Sequence, residues 1–230
     1  MTGLMAAPPA LELSGVKYSY RRNTALRGVS LRIKSGEVVA ITGASGCGKS
    51  TLLHCAAGIL SPHYGTVRLA GQDVAALPEE ERARLRRTKV GIVLQFGQLV
   101  PDLSLLDNVA LPLLLDGHER AEAQETARGW LEQVGIADEA EAVPAELSGG
   151  QTQRAAVARA LVTGPSVVLA DEPTGSLDSR AGQELLDVLL KSARYRGAAL
   201  VMVTHDNLVA ASADREIRLR DGVIQHEVVL

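Results

Sequence analysis

Residues 38–57 read VVAITGASGCGKSTLLHCAA: an apolar run (Val38–Thr42), a glycine-rich octet (Gly43–Ser50) and a stretch of helical character (Ser50–Ala57). The octet has the form G-x-x-x-x-G-K-[ST], and its place between a buried strand and a helix start weighs as much as its letters. Glycines 43, 46 and 48 let the chain wrap closely around a polyphosphate, with successive N–H groups turned towards it. The helix N-terminus that follows adds partial positive charge. The cradle comprises Gly43, Ala44, Ser45, Gly46, Cys47, Gly48, Lys49, Ser50 and Thr51. Lys49 is placed to reach β- and γ-phosphates, and Ser50 to ligate Mg²⁺. Cys47 is expected to be either activated by the helix terminus or a buried, inert thiol.

A second apolar run, Val167–Ala170, ends in Asp171 and Glu172. Parallel α/β sheets place ligands outside the carboxyl ends of their strands, so these acids are expected to face the glycine loop. Such chemistry needs one carboxylate for the metal, assigned to Asp171, and one to polarise the attacking water, assigned to Glu172. Loop and acids together indicate a Mg²⁺-dependent nucleoside triphosphatase.

Two further continuous apolar runs, Val90–Leu94 and Ala198–Val203, complete a set of strands buried on both faces, as in a parallel sheet. Alternating patterns at Leu11–Leu13, Val29–Ile33 and Thr66–Leu69, and again at Glu216–Leu219 and Val223–Val229, suggest antiparallel strands with one wet face. Between Phe96 and Gly164 helical spacing takes over, at Leu105–Leu115, Glu119–Val134 and Gln151–Val162. Gly164-Pro165 stops the last of these. The expected fold is a P-loop α/β core over residues 1–95 and 165–230, with a parallel sheet and an antiparallel β subdomain, and a helical insertion over 96–164. The charged run Glu79–Arg87 reads as a solvated helix face with Glu80 and Arg84 paired.

Composition narrows the function. The chain has 230 residues, 46% apolar but with only 6 aromatics (1 Trp, 4 Tyr, 1 Phe), and a net charge of −3. This disfavours a base-stacking or basic nucleic-acid surface. The longest apolar run, Ala198–Val203, is far short of the roughly 20 residues of a membrane-crossing helix, and Met1–Ala10 lacks the form of a secretory signal. A cytoplasmic chain is expected. Cys47 and Cys55, eight residues apart and expected on one helix, are out of disulfide reach. His54, His63, His118 and His226 show no metal-ligand spacing.

Leu147-Ser148-Gly149-Gly150-Gln151 precedes the helix Gln151–Val162, with Ser148 as a cap and two glycines freeing backbone N–H groups: a second anion site. With LSGGQ twenty residues before the strand-end acids and GASGCGKS upstream, the whole chain resembles the nucleotide-binding subunits of ATP-binding cassette (ABC) transporters. The resemblance implies an ATPase that binds ATP and Mg²⁺. Tyr20 would stack on adenine, Gln95 would contact Mg²⁺ and the attacking water, and His205 would contact the γ-phosphate. Ser148, Gly149, Gly150 and Gln151 would meet the nucleotide held by a second copy, with Asp178 in the loop across the seam, so that two chains close head to tail on two ATP. Thr152, Cys47 and Ser176 depart from the commonest family residues without removing a phosphate, metal or water ligand.

The runs GIVLQF (91–96), LLDNVALP (105–112) and ADEPTG (170–175) are similar to the subgroup paired with lipoprotein-releasing, macrolide-exporting or cell-division permeases. That implies integral membrane permease partners and a peripheral position on the inner face of the membrane. Residues from Phe96 to about Leu115 are expected to dock the permease, with Leu103 and Leu106 as contacts. Alternatives are the ATPase of a small-solute importer, disfavoured in its regulated form by a chain ending at Leu230, or a non-transport ABC ATPase. The latter would need a long coiled coil before LSGGQ or a second cassette.

Overall fold

The computed structural model describes residues 8–21, 23–95 and 98–230. Phe96, where the helical insertion and the docking stretch were expected to begin, and Met1–Ala7 of the leader region lie outside them.

In chain order the elements are β1 (Leu11–Tyr20), β2 (Asn23–Ile33), β3 (Val38–Thr42), α1 (Lys49–Ala56), β4 (Tyr64–Leu69), β5 (Gln72–Asp73), α2 (Glu79–Lys89) and β6 (Val90–Val93). They continue with α3 (Leu105–Leu115), α4 (Arg120–Gln133), α5 (Gly149–Leu161), β7 (Val167–Asp171), α6 (Ser179–Arg196), β8 (Ala199–Val203), α7 (Asn207–Ala211), β9 (Arg215–Arg220) and β10 (Val223–Val229). A six-stranded sheet has the order β10-β9-β3-β8-β7-β6, and a four-stranded one the order β2-β1-β4-β5.

The continuous apolar runs form the centre of the larger sheet. Every residue of β7 and β8 is buried, and β3 pairs in parallel with β8, as does β7. The early alternating runs form the smaller, antiparallel sheet. The terminal pair differs from expectation: β9 runs parallel to β3, and only β10 is antiparallel, on the outer edge. The alternation in Glu216–Leu219 reports one uncovered face, a property that does not depend on strand direction.

The larger sheet separates two cores. On one side Val39, Ile41, Leu169 and Val201 pack with α1 and the antiparallel sheet through Leu52, Leu11 and Ile33. On the other side Ala40, Val168 and Met202 pack with α3–α6. Each strand's alternate residues thus serve opposite layers, which is why these strands read as unbroken apolar runs. The helices α3, α4 and α5 follow β6 and precede β7 in the chain, with Ala123, Ala127, Trp130 and Leu131 of α4 inside.

Three local expectations change. Cys47 lies ahead of α1 rather than on it, and both cysteines are buried and free. In α2 it is Glu79, not Glu80, that pairs, with Arg82 and Arg86. Those arginines reach on to Ser61 Oγ and the Gly58 carbonyl, so the helix is docked rather than merely solvated. Leu106 is buried among α3's core residues, because the helix turns Leu105, Leu106, Val109 and Leu113 inward; it is no docking contact.

Candidate active site

The glycine loop joins β3 to α1, and its shape depends on residues that have no side chain. Gly43 has φ of 149°, and a Cβ there would sit 2.2 Å from the Leu219 carbonyl oxygen. Gly48 has φ of 107°, and its Cβ would lie 2.4 Å from the Ala25 carbonyl. Both positions are closed to L side chains by backbone conformation and by contact with backbone atoms. The loop can therefore press against β2 and β9 while its other side stays open.

That open side is the floor of a cleft of about 660 Å³ lined by Tyr20, Asn23, Ala25, Gly43–Gly46, Gly48–Thr51, Gln95, Asp171, Glu172 and His205. Most of this set comes from motifs that lie far apart in the sequence. Cys47 is the exception in the loop: its thiol is buried beside Gly43, and the residue does not line the cleft. The N-terminus of α1 opens into the cleft, and Lys49 Nζ donates to the Gly43 and Ala44 carbonyls at 2.8 and 3.0 Å. This fixes a positive charge at the loop's mouth.

Opposite lie the ends of β7 and β8. Asp171 is the last residue of β7 and is buried. Glu172 takes a left-handed conformation, φ 48°, uncommon for a residue with a side chain, and its N–H donates to the Val203 carbonyl at 2.9 Å. Its carboxylate meets His205 Nδ1 at 2.7 Å and accepts from Thr204 Oγ1 at 3.3 Å. The bond to Glu172 holds the His205 pKa above its ordinary value. Thr204 is 1% exposed and also accepts from the Asp206 N–H at 3.0 Å. Neither Thr204 nor Asn23 was anticipated. Thr204 follows the strand-end logic that revealed Asp171, whereas nothing in the sequence marks Asn23.

Tyr20 stands at the rim with 46% of its surface exposed, its hydroxyl accepting from Thr51 Oγ1 at 3.5 Å. Behind it the ring of Tyr18 makes an edge contact at 4.9 Å, and Tyr18 stacks on His63 at 4.8 Å. An exposed ring held this way offers a face for a planar base.

Ser148, Gly149, Gly150 and Gln151 do not reach this cleft. They form the N-terminus of α5, which starts at Gly149, two residues earlier than expected. Ser148 and Gln151 make a reciprocal capping box, with bonds of 3.2 and 2.9 Å. Asp178 is likewise the N-cap of α6, accepting from Ala181 N–H at 2.9 Å. Ser148 and Gly149 are exposed, so this helix terminus faces solvent, outside the lining of the chain's own cleft.

A glycine loop leading into a helix, a lysine at its mouth and two acids at the end of the neighbouring strand define a P-loop nucleotide-binding protein. The profile of the ABC transporter family matches residues 26–175. The chain is 46% identical to the macrolide export ATP-binding/permease protein MacB of Nitrobacter winogradskyi over 94% of its own length and 34% of that protein. It is 45% identical to the lipoprotein-releasing system ATP-binding protein LolD of Bordetella pertussis, over 94% of this chain and 96% of that one. Among solved structures, the dimeric post-hydrolysis state of the cassette MJ0796 bound to ADP and Pi superposes with a TM-score of 0.91. It is 37% identical, covering 96% of this chain and 98% of that one. The chain belongs to the ABC transporter family, and it spans about a third of the length of the MacB relatives it matches.

Proposed function

We propose that this chain is the ATP-binding and ATP-hydrolysing subunit of a transporter, and that two copies close head to tail on two Mg-ATP to drive a separate membrane permease. The observation that carries this reading is Glu172. Its carboxylate is oriented by His205 and Thr204 at the wall of a cleft whose floor is the glycine loop and Lys49. A carboxylate so oriented can accept a proton from water, and the loop N–H groups and Lys49 can take up phosphate charge. Tyr20 would carry the adenine, and Gln95 would lie beside the reacting phosphate.

Mg²⁺ suits this donor set. It takes one or two protein ligands together with substrate phosphates and water. Ser50 and Asp171 line the same cleft, with Gln95 nearby, and the described residues gather no group of three or more His, Cys, Asp or Glu into an all-protein cage. When bound, the ion would neutralise phosphate charge.

Two features support the dimer. The Ser148–Gly150 terminus, exposed at Ser148 and Gly149, does not line the chain's own cleft, and the solved cassette that this chain resembles is dimeric. No helix among the described residues is long and apolar enough to cross a membrane, which suits a subunit held at the inner membrane face by a permease. An apolar groove of about 440 Å³, lined by Ile92, Leu94, Leu111, Pro112 and Leu115 with Arg86 and Arg87, offers the docking surface. The LolD and MacB relatives favour export or extraction.

The test is Glu172→Gln. The variant should bind Mg-ATP, sediment as a dimer and lose about 10²- to 10⁴-fold in turnover, the range expected for removing a general base. A monomer that turns over at the wild-type rate rejects the assignment.

A further inference from the structure

Gln153 lies on α5, about one turn beyond Gly149 and Gly150, and is 1% exposed. Its Nε2 donates to the Pro173 carbonyl at 3.2 Å, and its Oε1 is buried with no hydrogen-bond partner among the described residues. Reversing the amide would set its oxygen against the Pro173 carbonyl, acceptor to acceptor, so that carbonyl dictates the orientation. An unpaired buried acceptor costs stability, and a methionine or leucine would fill this site without it. The glutamine therefore calls for a reason other than packing.

The accepting carbonyl belongs to the residue that follows Glu172. Glu172 has φ of 48°, a conformation that persists only where the surroundings enforce it. On one side its N–H is tied to Val203, and further on Gly175 N–H donates to the Glu172 carbonyl at 3.1 Å. The Pro173 carbonyl has no backbone donor among the described residues, and Gln153 supplies one. The rest of the segment also rests on the start of α5: Ser176 Oγ donates to the Gly149 carbonyl at 3.4 Å, and Leu177 lies against Gly150.

We propose that Gln153 is a positioning residue that ties the Glu172 turn to the Ser148–Gly150 helix terminus. Movement of that terminus on one nucleotide then sets the Glu172 carboxylate at the other. The inference rests on the head-to-tail dimer proposed above, in which one chain presents Glu172 to its own ATP and Ser148–Gly150 to its partner's. Coupling of this kind requires a physical link between the two half-sites of a single chain, and this hydrogen bond reaches the peptide beside Glu172 itself.

Gln153→Met tests it, because methionine conserves volume and removes both the bond and the orphan oxygen. The full chain is assayed with its permease, and alone, for steady-state ATPase activity, with Glu172→Gln prepared in parallel. The expected result is a roughly tenfold fall in kcat, as for a lost positioning hydrogen bond, and loss of cooperativity in ATP. KM should stay at its wild-type value, and the melting temperature at or above wild-type. Wild-type kcat and cooperativity in Gln153→Met, with Glu172→Gln still trapping a dimer, overturn the inference alone. A fall in kcat that comes with equal losses of melting temperature and ATP affinity marks a merely structural residue and also overturns it. Failure of Glu172→Gln to trap a dimer removes the functional reading and this inference with it.

Discussion

Adding one methyl group at Gly48 tests whether the loop's shape, rather than its letters, makes the site. Gly48 has φ of 107°, and a Cβ would sit 2.4 Å from the Ala25 carbonyl oxygen and 3.2 Å from Leu26 Cδ2. The first contact is with strand backbone that cannot rotate away, so either the loop or β2 must move. The conformation alone should cost about 1–3 kcal/mol, and forcing an extra methyl into a packed contact about as much again. Together these lower the melting temperature by roughly 5–20 °C in a chain of this size. The next residue is Lys49, and a displacement near 1 Å at a reacting group can cost about 10²-fold in rate. Gly46→Ala is the matched control: φ there is 78°, but nothing lies within 4 Å of the added carbon, so only the conformational cost applies. Calorimetry for melting and a fluorescent nucleotide for affinity separate the two. If Gly48→Ala and Gly46→Ala melt and bind alike, the close approach to β2 does not shape the site.

Lys49→Ala should leave the fold intact, since the side chain is only half-buried. It should weaken ATP binding about 10- to 100-fold, as for loss of a charge-assisted contact, measured by titration calorimetry. Leu106→Glu should unfold or aggregate the chain, whereas Leu115→Glu, at a position 62% exposed, should keep the melting temperature and basal ATPase rate and lose stimulation by the permease. Equal stability of the two variants would show that α3 is oriented wrongly. For His205, the raised pKa means that the imidazolium–carboxylate pair is complete below the ordinary histidine value of 6.5 and is lost as pH rises through the higher folded value. An NMR titration should therefore place His205 above 6.5 in the wild type and return it towards 6.5 in Glu172→Gln. The effect on stability should be slight because the ring is exposed. An unchanged titration would mean that the Glu172 contact does not form in solution.

What the sequence disclosed and what it concealed follow from the range of the forces involved. The glycine loop, the two strand-end acids and the Ser148 cap are local devices: each works through backbone geometry within a few residues, so each leaves a contiguous signature. Burial patterning disclosed the strands for a related reason, since β7 and β8 face a core on both sides and carry no polar residue before Asp171. The same signal could not give the direction of β9, because alternation records an uncovered face and is the same for parallel and antiparallel neighbours. Nor could it place Cys47 outside the cleft lining, which depends on how closely Gly43 approaches β9, or choose Glu79 over Glu80, which depends on where Ser61 and Gly58 stand. The contacts that orient Glu172 are of this second kind. Thr204 and His205 reach it across 32 and 33 residues, and Gln153 reaches its neighbour across 20. The sequence therefore marks which groups can do the chemistry. Their alignment is a property of the packed sheet and of α5, and it is there that substitutions distant from any motif will change the rate.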